Sequence, residues 1–222
     1  MRKIDKSILF STVYKTWLED LKANNKLHPS YDTYRKYYND VKFELLRCQL
    51  GLCAYTEIEL CEEDILTAEN WTNGKYDFDK EATQASGHIE HFDPKLKPKK
   101  GWLWTNLFMV DNHINTPVKG TQEVDDIMKP DADDYDPKDR LEFDSELNKY
   151  IPSANKTPEE QERIKKMVKV LGLNYGHISR KRKSFIKTLK ERIETDTFKP
   201  EAYEGEPFPT ALAFILSEKN ID

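Results

Sequence analysis

Hydrophobic positions recur at helical spacing in two stretches near the start of the chain. Leu9, Val13, Trp17 and Leu21 follow one another at intervals of four residues, which predicts an amphipathic helix over roughly 8–24. A second stripe follows Ser30, a plausible N-cap by residue type, and the helix it predicts ends at Gly51. Its members are Tyr34, Tyr37, Tyr38, Val41, Leu45, Leu46 and Leu50. We interpret the tyrosines as core packing between two helices, with stacking on a ligand as the alternative.

The same helical period returns in the last third of the chain. The sequence Thr-Pro-Glu-Glu at 157–160 combines a capping box with proline at the first helical position, and it predicts a helix that continues to Gly172. Another helix is predicted over 177–195, with most of its bases outside, and a final short helix over 208–217. Asp111 or Asn112 can cap a short helix that runs past Asn115, although Pro117 limits it.

Shorter apolar runs predict strands. The run 52–56 suits a buried strand, 88–92 and 104–110 predict two strands joined by a loop over 95–101, and 141–143 predicts a brief one. Residues 61–86 are polar, with a turn at Asn73-Gly74, and form either a loop or a weak helical insertion. The acidic segment 131–139 should be an exposed loop. The pattern therefore predicts an α+β protein that is mainly α-helical.

Composition narrows the class of protein. With 222 residues, 37% hydrophobic and 34% charged, the chain can bury one core, or one core carrying a small lobe. It contains no apolar run of about 18 residues for a membrane helix. Its charged first residues lack the apolar stretch of a secretory signal, so we expect a soluble cytoplasmic protein with no membrane partner. The cysteines, Cys48, Cys53 and Cys61, form no CxxC pair, which argues against disulfides and against a four-cysteine zinc site.

The charge is unevenly distributed along the chain. A net charge of −5 does not by itself indicate a nucleic-acid-binding protein, because phosphate binding depends on local Lys and Arg. Bases concentrate at 95–100 and again at 180–192. These clusters form either a basic face or solvated helix surfaces.

Candidate chemistry concentrates between His88 and Gly120. Hydrolysis of a phosphodiester needs a base, for which a histidine is suited near neutral pH, and a cation, for which a carboxylate is a ligand. Glu90 and His91 are adjacent, so on an extended strand their side chains would point to opposite sides. A strand end is therefore needed for both to serve one phosphate, and Pro94 favours such a break.

The order of residues here resembles the motif of the HNH endonucleases. The resemblance rests on Glu90-His91-Phe92-Asp93-Pro94, then Trp104-Thr105-Asn106-Leu107-Phe108, then Asn115 ahead of Lys119-Gly120. It implies a small ββα-metal (His-Me finger) nuclease core. In that core Glu90 would be a metal ligand, His91 the general base, Asn106 a brace for the loop, and Asn115 or His113 the second metal ligand. We expect His88 to orient a ligand.

A wider likeness extends to the HNH nucleases of the retron and Septu anti-phage systems. It covers 1–4, 52–55, 88–92, 141–144 and 171–174 at low density. Those relatives usually carry two CxxC pairs that bind a structural zinc. The corresponding positions here are 53–56 and 111–114, where Cys53 is the sole cysteine, which argues against a structural zinc. One extra residue also separates Asn115 from Lys119.

The resemblance implies an organisation and an activity. We expect a helical segment at 1–51, a nuclease core with an insertion at 52–122, and an acidic loop with a helical segment at 123–222, together forming one compact unit. The expected activity is cleavage of DNA with Mg²⁺ or Mn²⁺, in anti-phage defence and with an ATPase partner by family analogy. An RNA-cleaving toxin and a decayed nucleic-acid-binding module are the alternatives. The residues expected to contact nucleic acid are Lys97, Lys99, Lys100, Lys119, Arg180 and Arg182.

Overall fold

The computed structural model describes residues 1–78, 84–195, 203 and 205–218. They form an α+β fold in which helices predominate and the strands pair into two-stranded antiparallel sheets. In chain order the elements are α1 (Thr12–Ala23), α2 (Tyr38–Cys48), β1 (Trp71–Thr72), β2 (Lys75–Tyr76), β3 (His88–His91), α3 (Lys97–Lys100), β4 (Leu107–Val110), α4 (Asn112–Ile114), α5 (Pro137–Arg140), β5 (Leu141–Asp144), β6 (Lys149–Pro152), α6 (Pro158–Val170), α7 (Gly176–Glu194) and α8 (Pro209–Glu218).

The buried core draws on the whole length of the described chain. It includes Tyr14 from α1, Phe108 from β4 and Ile164 from α6. The division into segments 1–51, 52–122 and 123–222 stays a prediction. Residues 79–83 of the predicted insertion, and 196–202, 204 and 219–222 of the predicted C-terminal segment, lie outside the described residues. Within the described ranges, no helix is both long and apolar enough to cross a membrane.

Several helix predictions are confirmed with adjusted bounds. The predicted capping box at the start of α6 is present, because the Thr157 side chain accepts from the Glu160 backbone while the Glu160 side chain accepts from the Thr157 backbone. Helix α7 begins one residue before the predicted 177, and α8 occupies nearly the predicted 208–217. Helix α1 begins at Thr12, four residues later than its apolar period suggested.

The predicted start of the second helix near Ser30 is wrong. Ser30 instead opens a turn, with its carbonyl accepting from the amides of Thr33 and Tyr34, and α2 begins at Tyr38. The tyrosines of this segment pack around Trp17: the ring of Tyr34 stacks on it at 5.4 Å, and that of Tyr37 lies 4.9 Å away. Tertiary packing of aromatic rings therefore outweighs the local helical period.

The predicted strand at 52–56 is also wrong. The chain turns back on itself, with the Cys53 amide donating to Ile58 O at 2.8 Å and the Glu57 amide donating to Cys53 O at 3.0 Å. Glu57 adopts a left-handed conformation, with φ of 61°. Its buried carboxylate accepts a hydrogen bond from the Thr210 hydroxyl and lies 3.3 Å from the amino group of Met1. These contacts stabilise a turn that an apolar run does not reveal.

The polar region 61–86 contains a hairpin that the sequence did not predict. Strands β1 and β2 pair across Asn73-Gly74, where φ is 52° and 74°. Positive φ at both central residues matches the tight turn that fits the twist of a hairpin, so the predicted turn is confirmed. The Tyr76 ring stacks on Phe43 of α2 at 3.8 Å, which attaches the hairpin to the core.

The strand predictions at 88–92, 104–110 and 141–143 are confirmed in shorter or shifted form. Strand β3 pairs antiparallel with β4, placing His91 opposite Leu107 and His88 opposite Val110. Strand β4 begins only at Leu107, because Trp104–Asn106 forms a 3₁₀ turn. Helix α4 follows β4 directly, with the Asp111 side chain capping it by accepting from the His113 amide, and a π-helical turn, Asn115–Lys119, continues it.

The acidic segment 131–139 is not simply an exposed loop. Asp131 lies buried with its carboxylate 3.1 Å from Lys6 Nζ, which also donates to the carbonyls of Trp104 and Leu107 at 2.6 and 2.9 Å. Burial lowers the pKa of Lys6 to about 8, although Asp131 opposes this shift. The buried Tyr135 hydroxyl donates to Met1 O at 2.6 Å. The segment therefore anchors the start of the chain beside β4.

The capping box of α6 gives a test of local stability. Replacing Thr157 with Ala should lower the free energy of unfolding by about 1 kcal/mol, because the Glu160 amide loses its acceptor. Urea unfolding followed by circular dichroism measures the change. Thr157→Ser keeps the hydroxyl and should stay close to wild type, whereas an equal loss in both variants would contradict the capping role.

Candidate active site around His91

Several residues of the motif line one open cavity of about 460 Å³. Strand β3, the 3₁₀ turn after it, the π-helical turn after α4 and the segment 31–38 all contribute to its lining. The lining includes His88, Glu90, His91, Pro94 and Lys97, then Asn115, Thr116 and Gly120, together with Tyr31, Arg35 and Tyr38. Strand β3 ends at His91, so the chain bends where the sequence required a strand end. Glu90 and His91 consequently both line the same cavity.

The imidazole of His91 is held in one tautomer. Its Nε2 lies 2.9 Å from the carbonyl oxygen of Gly101. Because a carbonyl can only accept, Nε2 carries the hydrogen and Nδ1 keeps its lone pair. Burial lowers the pKa of His91 to about 4, with the Gly101 hydrogen bond opposing the shift. The ring is therefore neutral near pH 7, and Nδ1 is the nitrogen with a free lone pair.

Two neighbours set the position of the His91 ring. Gly101 approaches so closely that a Cβ there would lie 2.9 Å from the Tyr31 Cβ and 2.9 Å from the Lys97 carbonyl oxygen. The Tyr31 ring meets the His91 ring edge-on, with centroids 4.6 Å apart. A side chain at position 101 would push these groups apart, so glycine permits the carbonyl to reach the imidazole.

Asn106 clamps the bend that follows β3. Its Oδ1 accepts from the Asp93 amide at 2.8 Å, and its Nδ2 donates to the Asp93 carbonyl at 3.0 Å. Its own carbonyl accepts from the Phe92 amide at 2.9 Å. The buried amide thus satisfies both backbone groups of Asp93, which rigidifies the bend beside His91.

Glu90 forms a buried ion pair with Lys119. Glu90 Oε1 lies 2.5 Å from Lys119 Nζ, which also donates to the His91 carbonyl at 3.0 Å. Burial raises the pKa of Glu90, while the Lys119 ammonium opposes that shift. Lys119 itself is 0% exposed. This contact joins β3 to the last residue of the π-helical turn.

Two residues predicted to contact nucleic acid are inaccessible, and those predictions are corrected. Lys119 is enclosed with Glu90, as described above. Arg182 is also 0% exposed, and its guanidinium donates to Leu173 O at 2.9 Å and to Asn148 O at 2.8 Å. Both basic side chains are used inside the fold because buried carbonyl and carboxylate oxygens need donors.

The other basic candidates are at the surface. Lys99, Lys100 and Arg180 are exposed. Lys97 is half-buried at the cavity, with its Nζ 2.9 Å from Asp32 Oδ1. These four side chains remain accessible, and a contact with nucleic acid stays a prediction for each.

The three remaining motif residues lie in different surroundings. Asn115 lines the cavity, and within the described part of the chain its side-chain amide has no hydrogen-bond partner. His88 is exposed and also lines the cavity. His113 is not among the cavity's lining residues: its Nδ1 lies 3.2 Å from Asp111 Oδ1, and its ring centroid lies 5.2 Å from that of His177.

The cavity lining offers oxygen atoms of Glu90 and Asn115 and imidazole nitrogens of His88 and His91 as potential metal ligands. Across the described ranges, no group of three or more His, Cys, Asp and Glu side chains is placed to hold a metal ion. Glu90 and Asn115 are both among the residues that line the cavity. Mg²⁺ is usually bound through one or two protein carboxylates and keeps several of its waters. The Glu90 carboxylate and the Asn115 side-chain oxygen are therefore the candidate ligands for such an ion.

Sequence reasoning missed the part of the cavity wall that the segment 31–38 forms. Tyr31, Arg35 and Tyr38 line the cavity, whereas the apolar stripe had placed Tyr38 in the core and left the other two unassigned. A signal was present, because an aromatic, a cation and a second aromatic follow one another at intervals of four and three residues. Tyr38 belongs to the apolar stripe as well, whereas Tyr31 and Arg35 lie outside it.

Comparison with known proteins adds no assignment. The chain matches no protein-family model, and the search of curated proteins gives no match. The function must therefore be argued from the geometry and chemistry of the site itself.

The buried His91 predicts a pH-dependent stability. The pKa of His91 in the folded protein is about 4, below its ordinary value of 6.5. Between pH 4 and pH 6.5 the unfolded state therefore binds more protons than the folded state. Stability should fall as the pH drops from 7.5 to 4, by about 3 kcal/mol from this residue alone. Urea unfolding at both pH values should show a smaller loss in His91→Gln, and the exposed His113→Gln serves as control. Equal pH dependence in all three proteins would contradict the assignment.

Proposed function

We propose that this chain is a metal-dependent endonuclease of the HNH type that hydrolyses phosphodiester bonds in DNA. Strands β3 and β4, with the helical segment 112–119, would be its ββα-metal unit. The observation that carries the proposal is the neutral imidazole of His91, fixed by Gly101 with Nδ1 as its proton acceptor, in one cavity with Glu90 and Asn115. The Asn106 clamp supports it, because it matches the bracing role that the resemblance implies.

His91 would act as the general base. A water positioned against the phosphorus would lose its proton to Nδ1, the nitrogen whose lone pair is free in this tautomer. The imidazolium that forms would remain hydrogen-bonded through Nε2 to the Gly101 carbonyl, which favours the charged ring. Tyr31 and the Asn106 clamp would keep the ring oriented during this step.

Glu90 and Asn115 would hold a divalent cation, with Mg²⁺ or Mn²⁺ as the expected ions. The Asn115 amide is without a partner among the described residues, which leaves its oxygen available as a ligand. When bound, the cation would stabilise charge on the phosphate and on the departing 3′ oxygen. Lys119 would favour the ionised form of Glu90, because its ammonium lies 2.5 Å from the carboxylate.

Packing and hydrogen bonds would replace the structural zinc of the family that the sequence resembles. Cys53 lies buried in the turn after α2, and its Sγ accepts from the Asp111 amide at 3.3 Å. Ile114, at the last of the four positions, is buried. The two stretches that carry the CxxC pairs in those relatives are thus in direct contact here, which supports a zinc-free variant of the same arrangement.

A non-catalytic binding module is the second candidate. The ion pair of Glu90 with Lys119 favours it, because the carboxylate is already neutralised by a buried ammonium. RNA remains an alternative substrate, since a site that contacts phosphate does not by itself distinguish the sugars. The anti-phage setting and the ATPase partner rest on the resemblance.

Nicking of supercoiled plasmid tests the activity. Wild-type protein should cut with Mg²⁺ or Mn²⁺ and not with EDTA, and His91→Ala should be slower by at least about 100-fold, the contribution typical of a general base. Circular dichroism should show that the variant is folded. An undiminished rate in His91→Ala would refute its role. If wild type binds the metal without cutting DNA, single-stranded RNA is the next substrate, and absence of both metal binding and cutting would favour the binding module.

Metal titration tests Glu90. Glu90→Gln keeps an oxygen that can accept from Lys119 but loses the negative charge, so it avoids leaving the buried ammonium without an acceptor. The metal concentration for half-maximal cutting should rise at least about tenfold, since even the outer partners of metal ligands typically contribute that much. Glu123→Gln removes an exposed carboxylate paired with Lys95 and should leave the titration unchanged. If the metal titration of Glu90→Gln coincided with that of Glu123→Gln, Glu90 would be excluded as a metal ligand.

A further inference from the structure

The cavity wall formed by the segment 31–38 presents a cation without an acidic partner. Arg35 is exposed and lines the cavity. Within the described ranges, no carboxylate lies within ion-pair distance of its guanidinium, and the neighbouring Asp32 forms its ion pair with Lys97 at 2.9 Å. The Arg35 guanidinium is thus a cation without an ion-pair partner at the edge of the site.

Aromatic contacts hold this guanidinium in place. Its central carbon, Cζ, lies 5.0 Å from the ring centroid of Tyr38 and 5.4 Å from that of Tyr31. Tyr31 in turn contacts the His91 ring edge-on, with the centroids 4.6 Å apart. The cation is thus separated from the imidazole by a single aromatic ring. A guanidinium that lies over rings is restrained without using all its N–H donors, which leaves some for an anion.

The charges around the cavity favour an anion. Arg35 and Lys97 are the basic side chains at its accessible wall, and Glu90 is its acidic lining residue. Glu90 is compensated by Lys119, and Asp32 compensates Lys97. Among the described residues that line the cavity, the charged side chain without an ion-pair partner is Arg35. A planar guanidinium can donate two parallel hydrogen bonds to a phosphate, a geometry that an ammonium does not offer.

We infer that Arg35 binds a backbone phosphate of the nucleic-acid strand whose phosphodiester is attacked at His91. The ligand class is a phosphodiester, and Arg35 would be a substrate-binding residue that sets the position of the strand along the cavity. This inference rests on the proposed nuclease function and deepens it by naming a contact to the substrate. It also gives the segment 31–38 a role beyond packing against Trp17.

The first measurement uses the full chain carrying His91→Ala, so that binding is separated from cleavage. Fluorescence anisotropy with an end-labelled DNA duplex at several salt concentrations gives the affinity and its salt slope. Adding Arg35→Gln should weaken binding by roughly tenfold and reduce the slope by about one counterion, as expected when one phosphate contact is lost. Lys36→Gln is the matched control, because Lys36 is an exposed neighbour outside the cavity lining, and it should bind like its parent.

Arg35→Lys separates charge from geometry. It keeps the cation but not the planar pair of donors, so the salt slope should be retained while the affinity falls by roughly threefold. Thermal melting checks that each variant is folded. If Arg35→Gln does not fold, Arg35→Lys decides the matter: weaker binding at an unchanged melting temperature supports the inference, and unchanged binding overturns it.

The outcomes separate this inference from the proposed function. If protein with an unchanged His91 cuts DNA, and Arg35→Gln raises KM more than it lowers kcat, the nuclease proposal and the Arg35 contact are both supported. If it cuts DNA and Arg35→Gln matches Lys36→Gln in affinity, salt slope and KM, the Arg35 contact is overturned while the nuclease stands. If the unaltered protein neither binds nor cuts DNA or RNA with either metal, the nuclease proposal and the Arg35 contact are both overturned.

Discussion

A single buried ammonium fixes the relation between strand β3 and the helical segment 112–119. Lys119 reaches back to Glu90 and to the backbone of His91, so one side chain joins two consecutive residues of β3 to the π-helical turn. Burying such a pair is unfavourable unless its hydrogen bonds are made, and removing one partner is strongly destabilising, typically by 3–5 kcal/mol. The strand and the turn must therefore keep this separation, and the cavity between them keeps its shape.

Local chemistry allowed several elements to be predicted, both at the site and outside it. The strand that carries His91, the break after it and the cap at Asp111 belong to the site, and the helix cap at Thr157 lies outside it. All of them depend on residues a few positions apart. The segment 31–38 and the turn at 52–58 could not be predicted in the same way. Their conformations depend on Trp17 and Thr210 respectively, which lie far away in sequence. Periodicity contains no information about such partners.

Counting the basic residues in the sequence does not predict which of them are accessible at the site, for a related reason. The sequence suggested Lys119 and Arg182 as surface bases, yet each is enclosed by oxygen acceptors. Arg35, in contrast, was given no role from the sequence, because it lies between tyrosines that were assigned to a helix. What determines the field at the cavity is which charges are compensated by a partner, and this is a property of the folded arrangement. The net charge of −5 therefore says little about the sign of the potential beside His91.

The loop that follows α3 ties the imidazole to the first helix. Trp102, next to Gly101, is fully buried; its amide donates to His28 Nδ1 at 3.1 Å, and its carbonyl accepts from the Tyr14 hydroxyl at 2.7 Å. The carbonyl that selects the His91 tautomer is thus positioned by residues contributed from α1 and the segment after it. The stretch 52–122 would consequently not keep its geometry if it were grafted onto another protein, because it would lack the side chains outside it that orient His91.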